Sequence, residues 1–402
     1  MSLSRTVFRT LPLATAVALA FASGAQAQSL VEMYEAARGY DAGFISAKAQ
    51  FEANLAKANQ TLGGILPNIA LSASAARTYS DVRYDNPAQQ PNPFVNPRLY
   101  GTGSAAVTLS QPIYRPAAWA AYRQGGYLLQ QAAAQYEAAE QDLLVRVSQA
   151  YFDVLTSEDS LTLVQTQKQA VGEQLASAKR NFEVGTATIT GVRDAQARFD
   201  LASAQEIAGE NDLRIKRLAL DLAVGLSNAK PKRLANNTQL VETPKEDVNA
   251  WVSISATNSP AVRQAQLGLD IASQEVNKAT AGHKPTIDAQ VSYAGVRNDG
   301  GNSVSGTSTH VLAPSAAIVL NMPIFAGFST MYKVKEAVAL EDKARSDYEN
   351  ARRATAQATR TAYFGLVAGL SQVKAYEAAE ASSQSALDAN KLGYSVGVNI
   401  NI

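Results

Sequence analysis

The sequence contains no cysteine. That excludes a disulfide framework, thiolate metal ligation and a lipid-anchored N-terminal cysteine. It holds only two histidines, His283 and His310, and neither has a second ligand at helical or loop spacing. No metal centre, cofactor or histidine general base is therefore expected, and no nucleophile–base pair marks an enzyme. Charged residues make up 18% and the net charge is +1, so no bulk attraction to nucleic acid is implied. Gly300-Gly301 stands in a polar loop without a following Walker lysine, and reads as a turn rather than a phosphate cradle. Beyond the N-terminal region no eighteen-residue run is uninterruptedly apolar. Any membrane crossing is then expected from strands and not from helices.

What is present begins with a secretory leader over residues 1–27. Arg5 and Arg9 precede the apolar Leu11–Ala22, and Ala25-Gln26-Ala27 fits the small-x-small cleavage rule. The mature chain is expected to start at Gln28. The dominant stretch is 117–185. It has no proline inside it and is rich in Ala, Gln, Glu and Leu, all good helix formers. As a helix it would be a rod of roughly 100 Å. Leu144, Val147, Tyr151, Val154, Val164, Val171, Leu175, Ala178 and Phe182 recur in steps of three, four and seven, the pattern of a coiled-coil seam. A return helix is expected over 190–226, with the Val184-Gly185 turn between.

The chain also repeats itself. Ala150-Tyr151-Phe152 recurs as Ala362-Tyr363-Phe364, and Phe182-Glu183-Val184-Gly185 as Tyr394-Ser395-Val396-Gly397, both at an offset of 212. Gln111-Pro112-Ile113-Tyr114 recurs as Met322-Pro323-Ile324-Phe325 at 211, and Leu66-Pro67-Asn68-Ile69 as Lys284-Pro285-Thr286-Ile287 at 218. Four landmarks in constant order point to duplication, with a period too long for a solenoid. The first repeat is read as 28–226, holding a helix at Leu30–Leu62, a β-hairpin at 67–114, then the long and return helices. The second, 259–402, holds a helix at Pro260–Ala281, a hairpin at 285–325 and a long helix at 328–396. Residues 227–258 form a linker, interrupted by Pro231 and Pro244, with a short helix at Trp251-Val252. By the logic of the repeat the second return helix is missing, and the sequence is expected to be C-terminally truncated.

The hairpins alternate. Ile69, Leu71, Ala73 and Ala75 fall on one face, against Asn68, Ser72 and Ser74. Ala105, Val107 and Leu109 oppose Ser104, Thr108 and Ser110, with Pro112 ending that strand. Ile287, Ala289, Val291 and Tyr293 oppose Asp288, Gln290 and Ser292, and Ala316, Ile318 and Leu320 return. Strands of about ten residues suffice to cross a bilayer when tilted. Tyr100, Tyr114, Tyr293 and Phe325 stand at strand ends, where an aromatic girdle is expected. Four strands cannot close a barrel, and open edges are not tolerated in lipid. Membrane insertion would force several copies to share one barrel.

These motifs resemble the TolC family of outer-membrane efflux proteins. The match rests on Pro67, Gln111-Pro112-Ile113-Tyr114, Phe182-Glu183-Val184-Gly185-Thr186 and Gly393-Tyr394-Ser395-Val396-Gly397, and spans residues 28–402. The resemblance implies an α+β membrane protein, a homotrimer with a twelve-stranded barrel in the cell outer membrane. A coiled-coil helical tunnel would continue into the periplasm. It implies a passive exit duct for drugs, small molecules or proteins in tripartite efflux or type I secretion. The expected partners are a periplasmic adaptor, an inner-membrane pump and outer-membrane lipid. Val184, Gly185, Val396 and Gly397 correspond to the tunnel-tip turns that receive the adaptor. Tyr394 matches the family's gate tyrosine. The gate arginine falls on Asn399 and the gate aspartate on Gly191, so the usual polar links are absent. A periplasmic adaptor or coiled-coil scaffold is the alternative reading, although an adaptor should begin only one hairpin.

Overall fold

The structure, a computed structural model, describes residues 27–83, 85–86, 97–234, 247–301 and 307–395. The leader expected at 1–27 therefore lies outside the described residues apart from its last one. In order, the elements are α1 (Leu30–Tyr40), α2 (Ala42–Gln60), β1 (Asn68–Ser80), β2 (Arg98–Tyr114), α3 (Pro116–Glu183) and α4 (Ile189–Val224). There follow α5 (Val248–Asn258), α6 (Pro260–Thr280), β3 (Thr286–Asp299), β4 (Thr309–Asn321) and α7 (Ser329–Ser395). The chain forms two compact units, one from residues 1–48 and 137–241, the other from 49–136 and 242–402.

The first unit is a helical hairpin closed at one end. Along its shaft α3 and α4 are tied by side chains. Ser157 Oγ donates to Asp212 (2.8 Å), Lys216 Nζ to Asp153 (3.0 Å) and Arg217 to Glu158 (2.8 Å). Hydrogen bonding from Lys216 holds the Asp153 carboxyl below the usual carboxylate range, and Lys168 does the same for Glu206. Met33, Leu143, Val147, Val154, Leu220 and Val224 are fully buried. Each such side chain contributes about 2 kcal/mol by leaving water. Ser29 opens α1 with a capping box to Glu32.

The expected seam needs two corrections. Leu143 is 0% exposed whereas Leu144 is 45% exposed. Leu143 and Leu144 lie about 40° and about 60° to either side of Val147 around the helix, so both fit the seam spacing, and it is the neighbouring segment that buries one and leaves the other out. Phe182, at the hairpin tip, is exposed as well.

The single helix expected over Leu30–Leu62 is broken at Asp41. Tyr40 ends α1, and Asp41, in extended conformation, accepts from Phe44 N at 2.7 Å. Asp41 thereby caps α2 while also receiving both terminal nitrogens of Arg146, at 3.0 and 3.2 Å. The Tyr40 ring lies over Gly225, which ends α4 at φ +71. The segment after α4 closes the base. Asp221 accepts from Asn228 N and Ala229 N, Gln28 bridges Pro231, and Tyr151 Oη donates to Lys232 O at 2.6 Å.

The second unit carries the sheet, in the order β1-β2-β3-β4, antiparallel throughout. The strands are thirteen to seventeen residues long, more than the ten expected. Pro112 does not end β2. The strand runs on to Tyr114 through a register shift between Pro112 and Tyr114, the one kind of place where a sheet tolerates proline. Arg115 follows and grips Asp288 of β3 with two bonds, at 2.7 and 2.8 Å. Amide side chains stitch α3 to α6: Gln124 donates to Glu275, Gln131 to Gln264 O, and Gln264 to Ala134 O. Short helix α5 packs on α7, where Thr359 donates to Ser255 Oγ at 2.9 Å.

Candidate functional site

Two features stand ready for partners, each within its own unit. The first is the turn between α3 and α4. Gly185 takes φ +76, a conformation that costs a side-chain-bearing residue energy and costs glycine nothing. It lets the chain fold back so that Thr186 N, Ala187 N and Thr186 Oγ1 all donate to Asn181 O, at 2.8, 3.1 and 3.0 Å. The Asn181 carbonyl near the end of α3 is satisfied this way. Thr188 then caps α4, its hydroxyl accepting from Gly191 N at 3.4 Å and lying 2.7 Å from Thr190 Oγ1. The turn is closed by its own backbone, so its side chains are left outward. Val184 is 72% exposed, and Phe182 and Ile189 are exposed beside it. A Cβ on Gly185 would meet nothing within 4 Å, so a partner has an open approach to the backbone.

Of the expected site residues, Val184 and Gly185 form this turn, and Gly191 stands three residues into α4 beside its cap. Tyr394 falls in the last turn of α7, but its side chain lies outside what is described. Val396, Gly397 and Asn399 lie outside the described residues. The Thr188 cap was overlooked in the sequence reading. A threonine three residues before a helical glycine, just past a Val-Gly turn, is a signal that could have found it.

The second feature is one face of the sheet. Register places Leu71 opposite Val107, Val107 opposite Tyr293 and Tyr293 opposite Pro314. The adjacent row runs Ile69, Leu109, Val291, Ala316. These side chains are apolar and face no core: Leu71 and Ile318 are each 75% exposed. The opposite face is a hydroxyl and amide surface. There Ser74 Oγ meets Ser104 Oγ, and Ser292 Oγ meets Ser315 Oγ, both at 2.8 Å. Among the described residues β1 and β4 each pair on one side only. A contiguous exposed apolar face of this kind marks a surface that another molecule or a membrane covers.

The family model of the outer membrane efflux protein matches residues 33–226 and 251–401. The chain belongs to the outer membrane efflux protein family. Outer membrane protein TolC of Vibrio cholerae is 31% identical over 392 residues, covering 97% of this chain and 86% of that protein. TolC of Escherichia coli is 29% identical over 403 residues, covering 97% and 78%. The alkaline protease secretion protein AprF of Pseudomonas aeruginosa is 26% identical over 378 residues, covering 94% and 77%. In fold, the chain is similar to the CmeC outer membrane channel of Campylobacter jejuni. That TM-score is 0.74 at 18% identity, over 92% of this chain and 77% of that one. It is also similar to VceC of Vibrio cholerae, with a TM-score of 0.71 at 17% identity over 92% and 86%. An efflux protein of this family is an outer-membrane duct for efflux and type I secretion, and this chain is one. The adaptor and scaffold readings gain no support from these relatives.

Proposed function

We propose that three copies of the chain complete one twelve-stranded barrel in the outer membrane and continue as a helical tunnel in the periplasm. The observation that carries this reading is the four-stranded sheet with an exposed apolar face and two unpaired edges. In lipid each unsatisfied backbone group costs several kcal/mol, so edges must find strands in neighbouring copies. The apolar face then meets lipid and the serine-rich face lines the duct.

In this reading the chain is two repeats, 28–226 and 259–402, joined by the linker 227–258. The turn at Val184-Gly185, and its counterpart Val396-Gly397, receive the helical hairpin of a periplasmic adaptor that links the duct to an inner-membrane pump. Gly191, Tyr394 and Asn399 surround the periplasmic gate. Gly191 and Asn399 carry no charge, so this gate closes without ion pairs from those positions. The energy comes from the pump, and the duct itself does no chemistry.

Light scattering of the detergent-solubilised chain after size exclusion tests the reading. A protein mass three times that of one mature chain is expected. A stable monomer with the same circular dichroism would refute the shared barrel.

A further inference from the structure

The apolar face of the sheet changes character at the end distant from the helices. Continuing the row of Ile69, Leu71, Ala73 and Ala75, the next residue on that face of β1 is Arg77. Arg77 lies opposite Gly101, and Gly101 lies opposite Asp299. One row below, Ala75 faces Gly103, Gly103 faces Arg297, and Arg297 faces His310. Two arginines thus flank a strip of β2 that has no side chains. A Cβ at Gly103 would meet no described residue within 4 Å. A shallow depression of about 570 Å³ lies beside Arg77, lined also by Leu99, Gly101, Asp299 and Gly300, with Arg297 next to it on β3 rather than in its wall. Arg77 is exposed and has no ionic partner among the described residues. Arg297 gives its Nε–H to Asp299 at 2.9 Å, which orients the rest of its fork.

We propose that this cleft on the outward face binds the phosphate of a phosphorylated glycolipid in the outer leaflet. The proposal rests on the reading that the apolar face meets lipid. Eight residues separate Ile69 from Arg77, about 26 Å along the strand and roughly 20 Å along the membrane normal once tilt is allowed. That sets the arginines near the upper rim of an apolar band about 25 Å tall. The backbones of β1 and β3 are two strand spacings apart, about 10 Å, a gap that two guanidinium side chains can bridge around one phosphate. Arginine forks suit phosphate geometry better than a point charge does. The acyl chains of the same lipid would lie down β1 along Ala75 and Ala73, beside the Leu312 side chain that leans over Gly295. Asp299 cancels part of the charge of Arg297 but leaves that of Arg77 whole.

The test uses the full chain in detergent and counts bound lipid by native mass spectrometry. The probes are diphosphoryl lipid A, its dephosphorylated form, phosphatidylglycerol and inorganic phosphate. Diphosphoryl lipid A is expected to bind at least tenfold tighter than the dephosphorylated form and tighter than phosphatidylglycerol. Arg77→Gln and Arg297→Gln should each weaken it roughly fivefold, with the unfolding midpoint unchanged because both side chains are exposed. Equal binding of phosphorylated and dephosphorylated lipid, or no loss in the double variant, would overturn the proposal. So would competition by inorganic phosphate at the same concentration as the lipid. A separate variant, Leu71→Trp, is placed in vesicles containing brominated phosphatidylcholine. Quenching of its fluorescence supports the membrane face independently of the cleft. Absence of quenching removes that face, and the proposal with it.

Discussion

Helices α3 and α7 are nearly the same length, 68 and 67 residues, and carry the same aromatic pair. Tyr151 and Phe152 meet edge to face at 5.4 Å and 77°, and Tyr363 and Phe364 at 5.8 Å and 82°. Their surroundings differ. Tyr151 is buried and its hydroxyl reaches Lys232 O, while Phe364 is 58% exposed and Tyr363 borders an open groove with Trp251 and Leu366. The positions matching Leu143, Val147 and Val154 on α7 are Thr355, Thr359 and Leu366, and residues 374–392 are exposed except for a single half-buried position short of them at 373. The helical hairpin supplies α3 with a cover in α4. Beyond α5 and α6, the described residues supply α7 with none. Burial is thus set by the neighbour: local helix geometry repeats in both halves where the packing does not.

The comparison can be broken most sharply at Leu143. Leu143→Ala should cost about 3 kcal/mol through lost transfer energy and a cavity. Thr355→Ala, its counterpart, should stay within about 0.5 kcal/mol. Hydrogen exchange of the α3 and α7 amides reads both. Next comes glycine replacement. Gly225→Ala would place a Cβ 2.2 Å from the Tyr40 ring at a φ of +71, and should cost about 2 kcal/mol. Gly365→Ala on α7 meets nothing within 4 Å and should stabilise by up to about 1 kcal/mol. Opposite signs in urea unfolding are expected.

A smaller effect separates the units by pH. Hydrogen bonding from Arg146, helped by the Phe44 N–H, holds the Asp41 carboxyl below its ordinary value, against the burial that would raise it. The folded value lies below the unfolded one. Its stabilisation is therefore complete above the unfolded carboxylate value of about 4, and is lost as pH falls through the lowered folded value. Asp41→Asn keeps a helix cap but removes this dependence, so unfolding of the helical hairpin in acid should become flatter by roughly 1 kcal/mol or less. The smallest effect is a gain. Gly191→Asp sets a carboxylate in the first turn of α4, where only Thr188 Oγ1 lies near, at 3.9 Å. About 0.5 kcal/mol of added stability at neutral pH is expected in thermal unfolding.

Much of this was legible in residue spacing. Strict alternation in Ile69–Ala75 marked β1, and the proline-free run after Pro116 marked α3. Val184-Gly185 announced the turn because a left-handed residue there needs glycine. Other features left no local signal. The Asp41–Arg146 pair joins residues 105 apart and Arg115 finds Asp288 at a separation of 173, although the helix break itself has a local cause in Asp41, which caps α2 at Phe44 N. Leu143 and Leu144 are chemically alike and flank Val147 at similar angles, so only the packed neighbour decides which is buried. Pro112 read as a terminator because a bulge that absorbs it cannot be seen in one strand alone. Of the tip, Val184 and Gly185 stand at the turn and Gly191 in the first turn of α4, whereas Val396, Gly397 and Asn399 lie outside the described residues.

In the proposed shared barrel one face of the sheet meets lipid and the other water. Single cysteines at positions 315–320 on β4, spin-labelled in reconstituted chain, test it directly. A period of two is expected: labels at 316, 318 and 320 relax with lipid-soluble oxygen, and labels at 315, 317 and 319 with a water-soluble nickel chelate. Uniform access to the nickel chelate along the strand would contradict it.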